Sequence, residues 1–253
     1  MNKNKNLTIE KFFTLADANL KQNKLKEAQI LYNKILEVNP NHLNTLNNLG
    51  IVFKKLGDNQ EAVNYYKKAI EVDPNFANAH YNLGNIFKEL GEYQKAINCY
   101  EKAIELNPNY LRANENLAIT LYSLGEKKKA KSHFERLIEI DPNYVKAHNN
   151  LGIIFQDLGD FQKAKSCCEK AIEIDPNYID AYNNLGFIFK DLGDFQKAKS
   201  CYEKAIEIDP LNKKCILSYG NLLLFLGDIL KGHEYIIKGE GVIKFTPTYY
   251  KII

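Results

Sequence analysis

Six prolines, Pro40, Pro74, Pro108, Pro142, Pro176 and Pro210, stand 34 residues apart, and Gly57, Gly91, Gly125, Gly159, Gly193 and Gly227 keep the same interval. Two helix-breaking residues sharing one period leave few folds open. The chain must be a stack of copies of one short unit, each unable to bury its apolar side without its neighbours. Residues 149–178 and 183–212 are identical at 25 of 30 positions, the mark of a recent duplication.

Within a unit these two residues separate two helices. In 77–110, Leu83, Ile86, Phe87 and Leu90 recur at i, i+3, i+4 and i+7, which is one face of a helix. Gly91 follows and suits the left-handed residue that closes a helix. The second half repeats the pattern with Ala96, Ile97, Tyr100, Ala103 and Ile104. Pro108 then excludes Asn107 from helical geometry, and Asn109 is expected to cap the next helix. In the first unit Asn23 stands where later units have glycine, and Asn is the next best residue for that conformation. Small residues recur as strictly: Ala62, Ala96, Ala130, Ala164 and Ala198 share one position, and Gly50, Gly84, Ala118, Gly152 and Gly186 share another. They let helix backbones approach closely, and a longer side chain there costs about 1–3 kcal/mol.

The pattern N-L-G-x-x-F, then G-[DE]-[FY]-x-x-A, then [YF]-x-x-A-[IL]-E-[IVL]-[DN]-P resembles the tetratricopeptide repeat. It is complete in 82–108, 150–176 and 184–210, with Tyr or Cys at the bulky second-helix site. The resemblance implies an all-α fold. The expected architecture is an α-solenoid, a right-handed superhelix of about seven helix-turn-helix repeats whose first helices line a concave groove. The expected divisions are an extension over 1–8 and repeats at 9–42, 43–76, 77–110, 111–144, 145–178 and 179–212. A degenerate seventh repeat would occupy 213–239 and an apolar tail 240–253. Against the family's pattern, His80, Asn114 and His148 replace a bulky apolar residue, which predicts looser packing there. Gly232 and Gly239 stand where the family has Ala, each at about 1 kcal/mol of helix propensity, and the last helix is expected to end near Lys238.

Little in the sequence points to chemistry. A net charge of +3, from 34 basic and 31 acidic residues, is too balanced for a nucleic-acid arm or a membrane-surface patch. No apolar run reaches the length of a membrane span, and the N-terminus lacks the apolar core of a secretory signal, so the cytoplasm is the expected location. The five cysteines are odd in number and form no CxxC, which reads as free thiols. Cys99, Cys167 and Cys201 occupy one repeat position. Neighbouring copies lie about 8–10 Å apart, too far to share a zinc ion at about 2.3 Å. No phosphate-binding loop, HExxH or GxSxG motif occurs. We therefore expect no catalytic residue, no metal and no cofactor.

What the resemblance does imply is a binding groove. In this family the second, fifth, sixth, ninth, twelfth and thirteenth residues of each repeat face it. The sixth gives Asn48, Asn82, Asn116, Asn150 and Asn184, a ladder similar to the one in the repeat domain of O-linked N-acetylglucosamine transferase. A carboxamide both donates and accepts, so it can pair with a peptide backbone whatever the side chain. At about 0.5–1.5 kcal/mol per bond, five amides support micromolar or weaker affinity once the peptide's ordering is counted. Removing Asn116 and Asn150 should then weaken binding without lowering stability. Thirty residues are Asn, so it is their position that carries the reading. Asn85 and Asn149 flank the ladder, with Lys54, Lys88, Arg112 and Lys146 as basic neighbours. The fifth position, Phe13, Asn47, Tyr81, Glu115, Asn149, Asn183 and Leu217, is never Lys, so the two-carboxylate clamp that other members use on chaperone tails is absent.

At the C-terminal end Leu217, Leu224 and Phe225 put apolar groups at groove positions, where a terminal repeat normally turns polar. An apolar patch marks an interface. The tail, with Val242, Ile243, Phe245, Tyr249 and Tyr250, is expected to be non-helical and to cap the patch, or the patch to meet a partner domain or a second subunit in a homo-oligomer. The leading expectation is a protein-interaction scaffold that holds an extended partner segment in its concave groove. The alternatives are the substrate-recruiting part of a larger enzyme of glycosyltransferase or oxygenase type, with the catalytic part elsewhere, and a self-assembling scaffold.

Overall fold

The computed structural model describes the backbone of residues 2–240 and the side chains of 9–240. Every described element is an α-helix. The first helices of the seven hairpins are α1 (Asn2–Lys21), α3 (Leu43–Lys55), α5 (Ala77–Glu89), α7 (Leu111–Ser123), α9 (Val145–Asp157), α11 (Ile179–Asp191) and α13 (Lys213–Phe225). The second helices are α2 (Leu25–Val38), α4 (Asn59–Val72), α6 (Tyr93–Leu106), α8 (Lys127–Ile140), α10 (Phe161–Ile174), α12 (Phe195–Ile208) and α14 (Ile229–Glu240). Residues 2–8, expected as an extension, are the start of α1, and the last helix runs two residues beyond Lys238. The chain divides into two compact units, residues 1–133 and 134–253. Within each, a first helix packs on its own second helix, and that second helix packs on the next first helix.

The breakers work as the period predicts. Gly91 has φ +76°, and Asn23, its stand-in in the first repeat, has φ +60°. Asn107, held by Pro108 at φ −138° and ψ 90°, leaves the helix. The junction turn is closed differently from the expectation. Asn109 is not a cap: the N-cap of α7 is Tyr110, whose side chain makes no capping bond to the helix. Instead the Asn109 N–H donates to Asn107 Oδ1 at 3.3 Å, and the same bond closes the turns at Asp73, Asp141, Asp175 and Asp209. An Asx turn needs its side chain just before the proline, which explains why Asp or Asn always stands there. Aspartates do cap second helices, Asp160 and Asp194 accepting from the N–H of Lys163 and Lys197.

The core is a row of small residues under large ones. Tyr32, Tyr66, Tyr100 and Tyr202 are almost wholly buried. Each of the last three packs closely against a first-helix glycine: a Cβ on Gly84 would come within 2.7 Å of the Tyr100 ring, one on Gly186 within 2.6 Å of Tyr202, and one on Gly50 closer still to Tyr66. Two family departures read from the sequence are corrected by this packing. His80 and His148 do not loosen it, because each Nε2 lies 2.9 Å from the carbonyl of the preceding junction proline, Pro74 or Pro142. Asn114 is buried and donates to the Tyr110 carbonyl at 3.3 Å. Gly232 and Gly239 are not simply weak helix formers either. A Cβ on Gly232 would meet Leu224 Cδ2 at 2.5 Å and its backbone N at 2.9 Å, and one on Gly239 would meet Leu217 Cδ2 at 2.7 Å. Glycine is what lets α14 seat on α13.

Candidate functional site

In residues 1–133 the ladder asparagines project from α3, α5 and α7 toward the preceding first helix. Asn48 Nδ2 donates to Asp17 Oδ1 at 2.9 Å and to the Tyr32 hydroxyl at 3.1 Å, while the Tyr32 hydroxyl donates to the same Asp17 oxygen. Asn47 Nδ2 donates to Asn48 Oδ1 at 3.3 Å, and Asn82 Nδ2 donates to Asn47 Oδ1 at 2.9 Å. A polar chain therefore crosses three consecutive first helices. Asn116 Nδ2 repeats the motif one step on, donating to Asn85 Oδ1 at 2.8 Å and to the Tyr81 hydroxyl at 3.3 Å. Asn85 Oδ1 also accepts from Tyr100 at 2.9 Å. In residues 134–253, Asn184 Nδ2 donates to Asn149 Oδ1 at 2.8 Å.

These bonds change what the ladder can do. An amide nitrogen has two hydrogens, and in Asn48 and Asn116 both point to partners inside the protein. Asn184 is buried outright and Asn149 with it. The expectation that the rungs are free to donate to a ligand, and that removing Asn116 and Asn150 leaves stability unchanged, is narrowed at Asn48 and Asn116: their amide hydrogens bridge to the preceding repeat, so loss of Asn116 is expected to lower stability. Asn82, Asn116 and Asn150 are half-exposed. Sequence reasoning missed Asp17, Tyr32 and Tyr100. The signal was present, since a polar residue fifteen positions before a core tyrosine occurs at Asp17–Tyr32 and again at Asn85–Tyr100. Burial first, and then Asp17, pushes the Tyr32 hydroxyl far above its ordinary range.

The basic candidates divide. Lys54 Nζ lies 2.6 Å from Glu89 of the next repeat, so it is half of a cross-repeat pair. Arg112 is exposed at the start of α7, beside Tyr110. The Tyr110 ring lies 5.0 Å from that of Tyr81, and its hydroxyl, raised to about 12 by burial and by Tyr81, donates to Asn78. Lys88 is half-buried on α5, and Lys146 is exposed on α9. Of the proposed C-terminal patch, Leu217 and Leu224 are half-buried and pack onto the glycines of α14. Only Phe225 is open, at 63% exposure, with its ring 5.3 Å from that of Phe195. The tail residues Val242, Ile243, Phe245, Tyr249 and Tyr250 lie outside the described residues.

Among the described residues no three His, Cys, Asp or Glu side chains come together as metal ligands, and no helix is long and apolar enough to cross a membrane. A cavity of about 370 Å³ opens on the second-helix side between Ile97, Glu101, Leu121 and His133. Burial lowers the His133 pKa, against the opposing pull of Glu101. Burial also pushes the thiols of Cys99, Cys167 and Cys215 up to about 11 and those of Cys168 and Cys201 to about 12. At pH 8 the native thiols should therefore react with a disulfide reagent at least about tenfold more slowly than free cysteine, whose pKa is near 8.5. Reaction at the rate of the urea-unfolded chain would contradict that burial.

Helical hairpins repeated with one period, presenting a row of polar first-helix side chains, define a helical repeat protein. Families described as tetratricopeptide repeat or TPR repeat match residues 12–42, 31–64, 52–91, 77–110, 99–132 and 144–210, which together make up well over half of the chain. The chain belongs to the tetratricopeptide repeat proteins. No curated protein matches it significantly. Among solved structures it is similar to YrrB, described as a TPR protein with an unusual peptide-binding site, at 25% identity over 73% of this chain and 95% of that one, with a TM-score of 0.61. It is similar to MamA at 28% identity over 64% of this chain and 95% of that one, TM-score 0.60. A tetratricopeptide repeat protein from Parabacteroides merdae shares the fold over 96% of each chain at 18% identity, TM-score 0.74.

Proposed function

We propose that this protein is a non-catalytic interaction scaffold that holds an extended segment of a partner protein against its first helices. The observation that carries the reading is the face of residues 1–133. There the half-exposed Asn82 and Asn116, the Tyr81–Tyr110 ring pair and exposed Arg112 stand on the successive first helices α5 and α7 and the N-cap of α7. The amide oxygens take backbone N–H groups, the rings offer a flat apolar surface to one side chain, and the guanidinium takes a carboxylate. The likeness to YrrB, a peptide-binding relative in fold and at 25% identity in sequence, supports the same use. An internally braced amide costs no rearrangement when a ligand arrives, so the ladder works as a preorganised acceptor row instead of a donor-acceptor pair.

Peptide-library enrichment followed by fluorescence polarisation tests this. The full chain should select peptides with a carboxylate near an aromatic residue, bound in the micromolar range or weaker. Arg112→Ala should weaken them about tenfold, the size of one charge-assisted hydrogen bond, with an unchanged melting temperature. Equal affinity for the variant, or no enrichment, would remove this face as the binding site.

A further inference from the structure

The seventh repeat breaks a rule that the other six keep on their outer side. Its residue equivalent to Gln162 and Gln196 is Leu230, and its residue equivalent to Glu169 and Glu203 is Ile237; both positions are polar in all six preceding repeats. Leu230 is 87% exposed and Ile237 37%. They are seven residues apart on α14 and so lie on one face, two helical turns from each other. Ile229, 60% exposed, adjoins them at the start of the helix. These side chains are not part of the α13–α14 contact, which Gly232 and Gly239 make on another face.

We propose that residues 241–253 of the same chain cover this outer face of α14. The segment GVIKFTPTYYKII follows Glu240 directly, and seven of its thirteen residues are aliphatic or aromatic. Extended, it reaches about 40 Å, about twice the 18 Å length of α14's twelve residues, so it can turn back and run the whole helix. It holds Lys244 and Lys251 and no acidic residue, and Glu234 stands exposed between Leu230 and Ile237. Tethering favours this occupant over a second copy, because a segment joined to the end of the helix is present at an effective concentration of about millimolar.

Hydrogen exchange read by mass spectrometry on the full chain, with the mass followed by light scattering, tests the assignment. Amides of 241–253 should exchange at least about tenfold more slowly than a free peptide of that sequence. The protection should be equal at two concentrations about a hundredfold apart and present at the mass of a monomer. It should vanish in L230E/I237E, which alters only these outer side chains, and persist in Gln196→Glu, which makes a similar change one repeat earlier. Absence of protection overturns the proposal. So does protection that survives L230E/I237E, which would seat the segment elsewhere, and so does protection that appears only with the mass of a dimer, which would assign the face to a second copy.

Discussion

Gly186→Ala is expected to lower stability by up to about 2 kcal/mol, although alanine is the better helix former. Propensity alone favours the change by about 1 kcal/mol. The packing opposes it, because the new Cβ would lie 2.6 Å from the Tyr202 ring, which is wholly buried and has nowhere to go. Overpacking of this kind costs about 1–3 kcal/mol. The ring can be taken away to show that it is the cause. Tyr202→Ala alone should cost about 3–5 kcal/mol, and in that background Gly186→Ala should become neutral or stabilising. A coupling of this size is what contacting residues show. Urea midpoints of the two single variants and the double measure it, and a rise in midpoint for Gly186→Ala in the native background would show that the helices do not approach so closely.

Equivalent substitutions should have opposite signs in different repeats. Tyr100→Phe removes a hydroxyl that donates to Asn85 and should cost about 1 kcal/mol. Tyr202→Phe removes a hydroxyl that is buried without a partner, because Phe187 occupies the place that Asn85 has in the third repeat, so it should stabilise by about 1 kcal/mol. The same repeat holds a second defect. Asn183 is wholly buried and neither of its amide atoms is paired. The rung that would meet it, 35 residues on, is Ser218, whose hydroxyl turns back to the Lys214 carbonyl of its own helix. Asn82 meets Asn47 and Asn184 meets Asn149 across that same spacing. Ser218→Asn should therefore restore the missing donor and stabilise by about 1–2 kcal/mol. Thermal melts of the three variants check the pattern. Equal effects of Tyr100→Phe and Tyr202→Phe, or a lower melting temperature for Ser218→Asn, would refute it.

The architecture was legible because its signals are local and repeated. A proline that expels Asn107 from the helix, a glycine at φ +76° and apolar residues at helical spacing act within a few residues, and six copies make each signal redundant. The site was legible only in outline. The position of the ladder on successive first helices followed from the period, but the direction of each amide did not. That depends on which atom of the neighbouring repeat comes within reach: Asp17 and Tyr32 for Asn48, Tyr81 and Asn85 for Asn116. The same holds for Leu217 and Leu224, which read as an exposed patch until Gly232 and Gly239 are seen to admit them.

The order of residues along the chain thus determined how many hairpins form, where each begins and ends, and which side chains share a helix face, since periodicity and backbone restriction are properties of a short stretch of chain. Tertiary structure alone decided which of those shared side chains are spent on their neighbours and which stay open to solvent. Hydrogen bonds and close contacts form over 3 Å between residues some 35 positions apart, and no spacing rule specifies distances that short.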